Sequence, residues 1–248
     1  MNLSWLSPLS SLPLFSWMSP LDGLALVWFA LAWVGYTYLA DHSAYRTKGI
    51  SFAMNRRRRY WMTQAASRNL RIIDTNILGN LLTGIAFYST TTIFVLGGLV
   101  AMLGVPDQGA LAIQRIPLAT PIPPAAWEGK TLLLLGIFIY AFFKFAWAFR
   151  LANYTSISVG ALPAPEEADT DRAKRMSESA ATLSALSAHH FNRGLRAYFF
   201  ALAALGWLIS PELFIGLTAG VTLVLQRREF RSRAVRAIRD ADGSQDNL

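Results

Sequence analysis

Four stretches of the chain are apolar over lengths that water would normally interrupt. Residues 21–40 carry one acid, Asp22, at their start; residues 81–103 carry no charge; residues 131–150 are apolar apart from Lys144 and the terminal Arg150. A bilayer core roughly 30 Å thick takes about 20 such residues as one helix, so each is predicted to span a membrane. The fourth stretch, 195–226, would extend about 48 Å as a single helix, too long for one span without steep tilt. Ser210-Pro211-Glu212 sits in its middle, and proline removes a helix N–H while disfavouring helical geometry at the residue before it. Two short helices, 195–209 and 212–226, joined by a turn are therefore expected.

Between the apolar stretches, polar and apolar residues alternate at helical spacing. Met62, Ala66, Leu70, Ile73 and Ile77 form one stripe, and Arg57, Gln64, Arg68, Arg71 and Thr75 another. An amphipathic helix leading straight into the second span is predicted, with Tyr60 and Trp61 at headgroup level. A second helical pattern holds Met176, Ala180, Leu183, Leu186 and His190. His190 is expected as a hydrogen-bonded packing residue. His189 lies about 100° further round the helix, so the two imidazoles cannot share a metal ion. Residues 104–130 include Pro117, Pro121, Pro123 and Pro124, and extended backbone is expected there.

Composition supports the membrane reading. Hydrophobic residues make up 53% and charged residues 15%, with a mean hydropathy of +0.33; soluble domains average about 25% charged. The chain has no cysteine, which excludes disulfides, thiolate nucleophiles and iron–sulfur clusters. The net charge is +8, and its distribution sets the threading. Segment 41–80 holds eight Lys and Arg, segment 150–196 six and the tail after 226 six, against two in 104–130 and none in the first twenty residues. Basic residues near span ends stay cytoplasmic. An all-α, five-helix transmembrane bundle (21–231) follows, with the N-terminus outside, the C-terminus cytoplasmic, cytoplasmic amphipathic helices and a cytoplasmic tail, 232–248. Residues 1–20, with Trp5, Phe15 and Trp17, are expected at the outer interface and lack the basic start of a signal peptide. Nucleic acid is not an expected partner, because the basic residues border spans instead of forming a soluble module.

Lys144 falls roughly 20 Å along its helix from the outer surface, where a charge must snorkel, pair or face water. It shares a helix face with Trp147, Leu151 and Tyr154, while Arg150 points elsewhere; Asp41 and Asp74 are its candidate counter-ions. Gly194, Ala197, Ala201 and Ala204 form a small-residue face, as do Gly216-xxx-Gly220. Such faces let helices approach closely. They are read as the packing seam of the hairpin, with homo-oligomerisation as the alternative.

Several motifs carry a family resemblance. Asn55-Arg56-Arg57, Trp61-Met62, Arg71-Ile72-Ile73-Asp74, Leu78-Gly79-Asn80-Leu81 and Ser89-Thr90-Thr91-Thr92-Ile93 stand in the first half. Phe143-Lys144-Phe145, Trp147, Arg150, Asn153-Tyr154, His190-Phe191-Asn192-Arg193-Gly194-Leu195-Arg196 and Arg228-Glu229-Phe230 stand in the second. Over residues 20–235 the chain resembles the bacterial domain-of-unknown-function family numbered 599. The resemblance implies a multi-pass membrane protein of the bacterial inner membrane, and transfers no catalytic residue. It draws attention to Arg71, Asp74, Asn80, Lys144, Trp147, Arg150, Asn153, Tyr154, Asn192, Arg193 and Arg196, which under this threading could converge into one basic inner-leaflet pocket. An anionic phospholipid headgroup or an acidic partner segment is the expected ligand, without metal or cofactor. A small transporter or channel with Lys144 in its pathway is the alternative. An enzyme using His42 or His190 as base is disfavoured, since no nucleophile stands at a matching spacing.

Overall fold

A computed structural model describes residues 16–117 and 119–243, and every regular element among them is helical. The helices are α1 (Pro20–Asp41), α2 (Ile50–Ala66), α3 (Ile72–Leu103), α4 (Pro106–Gln114), α5 (Pro124–Gly160), α6 (Asp171–Ile209), α7 (Pro211–Phe230) and α8 (Arg233–Gly243). Short 3-10 helices occupy Ala44–Lys48 and Pro165–Glu167. Trp5, Phe15 and the end of the predicted tail lie outside the described residues. By length and composition, α1, α3 and α5 can each cross a membrane.

The predicted spans sit inside longer helices. At 37 and 39 residues, α5 and α6 extend about 56 and 58 Å, well past a bilayer core. α5 continues through its polar end because short side chains fold back onto the preceding turn. Asn153 donates to the Phe149 carbonyl at 3.2 Å, Thr155 to Leu151 at 2.9 Å and Ser158 to Tyr154 at 2.8 Å. The predicted helix 176–190 is likewise no separate element: it is the first half of α6.

Three expectations are corrected. The amphipathic helix does not run into the second span, because the chain breaks between Ala66 and Ile72. Met62 and Ala66 are buried while Leu70 and Ile73 are 74% and 65% exposed, so the predicted stripe ends with α2. The proline-rich connection contains α4, and Gly109 packs so tightly on Trp127 that a Cβ would lie 2.2 Å from its ring. Trp127 in turn donates its indole N–H to the Met102 carbonyl at 3.0 Å, at the end of α3. Finally, Gly216 and Gly220 are exposed and touch nothing through a Cβ position, so they form no seam within the chain.

The turn at Pro211 does reverse the chain. Trp207 and Phe214 stack at 5.5 Å, and a Cβ at Gly206 would lie 2.6 Å from Leu217. In a continuous helix those pairs would stand about 10 and 16 Å apart. Ser210 Oγ accepts the Leu213 N–H at 3.2 Å and Pro211 opens α7, the sequence chemistry of a helix start.

Contacts divide the chain into two compact units. Among the described residues, the first comprises 16–36, Ile93–Tyr140 and Ala197–Val224. Its aromatic core centres on Phe29, whose ring lies 5.7 Å from Phe200 and 5.0 Å from Phe214. The second comprises Thr37–Thr92, Ala141–Arg196 and the described residues from Leu225 onward. Met62, Ala65, Leu78, Val159, Leu162 and Ala180 are among its buried residues, and Gly194 approaches the Phe145 ring where a Cβ would stand 2.5 Å away. Gly194 and Ala197, Ala201 and Ala204 are all buried, as the small-residue face predicts.

Candidate functional site, a basic pocket

The second unit holds a cavity of about 300 Å³ whose wall comes from the end of α1, from α2 and from α6. Its floor is Asp41, the last residue of α1. That carboxylate is 3% exposed and accepts from Arg193 Nε and Arg196 Nη2, both at 2.7 Å. The two arginines are three residues apart on α6 and so meet one acid from one helix face.

α2 is oriented by a residue from the far end of the chain. The Glu229 carboxylate accepts the Ser51 N–H at 3.2 Å, placing a negative charge at the α2 N-terminus. Gly49 makes room for it, since a Cβ there would lie 2.7 Å from Glu229 Oε1. With its start pinned, α2 lines the cavity with Ser51, Phe52, Asn55, Arg56, Arg58 and Arg59. α6 supplies Ala185, Ala188, His189, Asn192 and Arg196. This spacing keeps them on one face, and the two alanines leave the space open.

Cations dominate the lining. Arg46, Arg56, Arg58, Arg59 and Arg196 face a single lining carboxylate, Asp41. Arg59 pairs with Glu178 at 3.2 Å, but both side chains are more than half exposed and such a pair contributes little. Arg58 donates to Asn55 Oδ1 at 2.9 Å. Among the described residues, no carboxylate lies within 4 Å of Arg46, Arg56 or Arg58. Burial lowers the Arg58 pKa, although a guanidinium stays charged. Burial also holds His189 below its ordinary 6.5; Asp41 opposes that shift, and Arg193, Arg196 and Lys144 add to it.

The predicted site residues separate into distinct places. Asn192, Arg193 and Arg196 are at or beside the pocket, Asn192 donating to Ser51 Oγ at 3.4 Å. Arg71 and Asp74 instead clamp the break between α2 and α3. The Arg71 guanidinium donates to the carbonyls of Ala65 at 3.0 Å, Ala66 at 3.3 Å and Leu162 at 2.9 Å, and also to Pro163. Asp74 is fully buried and accepts from Trp61 Nε1 at 2.7 Å and from Arg68.

Trp147, Arg150, Asn153 and Tyr154 share a shallow surface made by α5 alone. Arg150 lies against Tyr154 there, its Nε 2.7 Å from the phenol oxygen, contrary to the expectation that it points elsewhere. Leu151, predicted to share a face with Trp147 and Tyr154, is 6% exposed. Asn80 lines a neighbouring groove. Lys144 is half-buried on α5 and lines neither cavity. The convergence of all eleven residues is thus not what the fold makes: helix azimuth, which depth along a span does not set, sends them to different faces. His190, expected as a hydrogen-bonded packing residue, packs edge-on to Trp147 at 6.4 Å and its Nδ1 has no hydrogen-bond partner.

The first unit carries a cluster that sequence reasoning missed. Lys130 is 3% exposed, donates to the Trp207 carbonyl at 2.7 Å and lies 5.4 Å from that indole and 5.9 Å from Trp17. Trp207 Nε1 donates to Asp22 at 2.7 Å, and Asp22 also accepts from Ser19. Each charged group has partners, and the cluster ties α1, α5 and α6 together. Its only sequence signal was a lone acid and a lone lysine at the starts of two apolar runs.

No curated protein and no solved structure matches the chain. The match that exists is to a family, covers residues 24–234 and takes in every wall of the pocket and the Glu229 that orients α2. The chain belongs to the family described as "Protein of unknown function, DUF599".

Proposed function

We propose that this is a five-span inner-membrane protein that holds a phosphate-bearing anionic headgroup in the pocket lined by Arg46, Arg56 and Arg58. The observation that carries the reading is the charge imbalance of that cavity: among the described residues, three guanidinium groups have no carboxylate within 4 Å, beside Arg196, engaged by Asp41, and Arg59, paired with Glu178. Guanidinium binds phosphate oxygens through paired hydrogen bonds, and the neutral donors of Ser51, Asn55 and Asn192 complete a wall suited to several oxygens at once. Supporting the threading, the arginine-rich segments 41–80, 150–196 and the tail belong on the cytoplasmic side, which would set the pocket at the inner leaflet, where anionic lipids concentrate.

The test is native mass spectrometry of protein reconstituted in phosphatidylcholine with or without phosphatidic acid. Wild type is expected to retain phosphatidic acid, the Arg46→Ala/Arg56→Ala/Arg58→Ala variant to lose it, and Arg150→Ala, on another face, to keep it. Retention by the triple variant overturns the pocket assignment. Alkaline phosphatase fused within 104–130 should be active and fused after Leu248 inactive; the reverse pattern overturns the threading.

A further inference from the structure

Beside the basic pocket lies a second cavity of about 320 Å³ with a different character. Its wall is Leu78, Leu81, Gly84 and Ile85 of α3, Ala152 of α5 and Phe191 of α6. Besides Arg58 and Asn192, its polar lining is Asn80, Thr155, Ser184 and Ser187; Thr155 donates to the Leu151 carbonyl at 2.9 Å and Ser187 to the Ala148 carbonyl at 2.8 Å. The groove therefore presents mostly hydrocarbon.

Arg58, Ala188 and Asn192 line both cavities, so the basic chamber and the apolar groove adjoin. Ala188 at the junction adds only a methyl group. The groove's outer rim is Leu81, 46% exposed, and the exposed Gly84, both on a helix able to cross a membrane.

We infer that the ligand is an amphiphile, a lipid phosphate whose headgroup sits among Arg46, Arg56 and Arg58 and whose chain lies in the groove between α3, α5 and α6. This rests on the pocket reading above and adds the tail. A soluble phosphate has no use for the hydrocarbon wall. A peptide segment would bring an N–H and a C=O at every residue, more than the few polar side chains of this wall can pair, at a cost that a hydrocarbon chain avoids. Continuity of charge with apolar surface, opening on the flank of a candidate span, selects lipid.

The experiment compares glycerol 3-phosphate with dioctanoyl phosphatidic acid by calorimetry on the detergent-solubilised full chain. A Cβ at Gly84 meets nothing within 4 Å, so Gly84→Leu adds bulk to the groove without a backbone clash. Wild type is expected to bind the lipid at least about ten-fold more tightly than glycerol 3-phosphate. Gly84→Leu should erase that preference while leaving glycerol 3-phosphate affinity intact. Leu81→Gln, which makes the groove mouth polar, gives the same reading should Gly84→Leu not fold. Equal affinities in wild type, or an unchanged preference in both variants, overturn the tail assignment and leave the headgroup pocket standing. Failure of wild type to bind either probe overturns both.

Discussion

Replacing Asp41 by Asn separates a structural acid from one that also tunes ligand binding. The side chain is 3% exposed and takes 2.7 Å bonds from Arg193 and Arg196, so Asn removes the charge that two guanidinium groups share. Breaking a buried ion pair costs about 3–5 kcal/mol. Arg193 is 22% exposed and can hydrate, and the amide oxygen still accepts one bond, which places the loss near about 3 kcal/mol. At about 2–4 °C per kcal/mol for a chain of this size, the melting temperature should drop by about 6–12 °C. Tryptophan fluorescence in detergent follows the transition. The same substitution raises the positive charge of the pocket, so phosphatidic acid should bind more tightly and recover much of the lost stability. Asp22→Asn is the matched control: Asp22 is 7% exposed and held by Trp207 and Ser19 in the other unit, so the loss there should not be recovered by lipid. A wild-type melting temperature for Asp41→Asn, or equal rescue of both variants, would refute the reasoning.

Arg71→Ala deletes bonds to four carbonyls and should cost more than about 3 kcal/mol, seen as aggregation on size exclusion; Arg71→Lys should not restore stability, because an ammonium cannot reach four acceptors in a plane. Gly109→Ala forces Trp127 off the Met102 carbonyl and should lower stability by about 1–3 kcal/mol, whereas Gly216→Ala, which meets nothing, should leave thermal unfolding unchanged. His189 sets a pH dependence whose sign is fixed by its lowered pKa. As pH falls through 6.5 the unfolded chain takes up a proton that the folded protein resists, so stability without ligand declines over that window. A bound phosphate favours the protonated ring, so phosphatidic acid affinity should rise over the same window, and His189→Gln should flatten the titration.

What the amino-acid pattern revealed is what local physics controls. Residues 21–40, 81–103 and 131–150 are apolar enough that their helices follow from bilayer thickness alone, and Pro211 reverses the chain through its missing N–H and the Ser210 cap. The break between α2 and α3 was invisible, because Arg71 makes it by reaching Leu162 and Pro163, more than ninety residues away. The extra turns of α5 were hidden for a related reason: Asn153, Thr155 and Ser158 look like helix breakers until their side chains bond the preceding turn. In the site, Asn192, Arg193 and Arg196 are marked by the family resemblance, which singles out residue types and not their azimuth. Arg46 and Arg56 to Arg59 read equally well as a topological stop, and which of them face the cavity follows from long-range contacts of α2, among them Glu229 to Ser51 and Arg57 to the Ile238 carbonyl.

The basic pocket persists because acids around it, among the described residues, are engaged in holding the fold. Asp41 bridges α1 to α6, Glu229 pins the α2 N-terminus, Asp74 binds Trp61 and Arg68, and Glu178 meets Arg59 at an exposed edge. Asp41 and Glu229 each orient a wall of the cavity, so moving either carboxylate inward to neutralise Arg46, Arg56 or Arg58 would dismantle the wall it supports. Fold and charge are therefore coupled: the contacts that build the second unit leave three guanidinium groups without a counter-ion among the described residues. Adjoining hydrocarbon makes the imbalance specific, because an anion that brings its own apolar chain meets both surfaces at once, whereas bulk salt screens only the exposed charges.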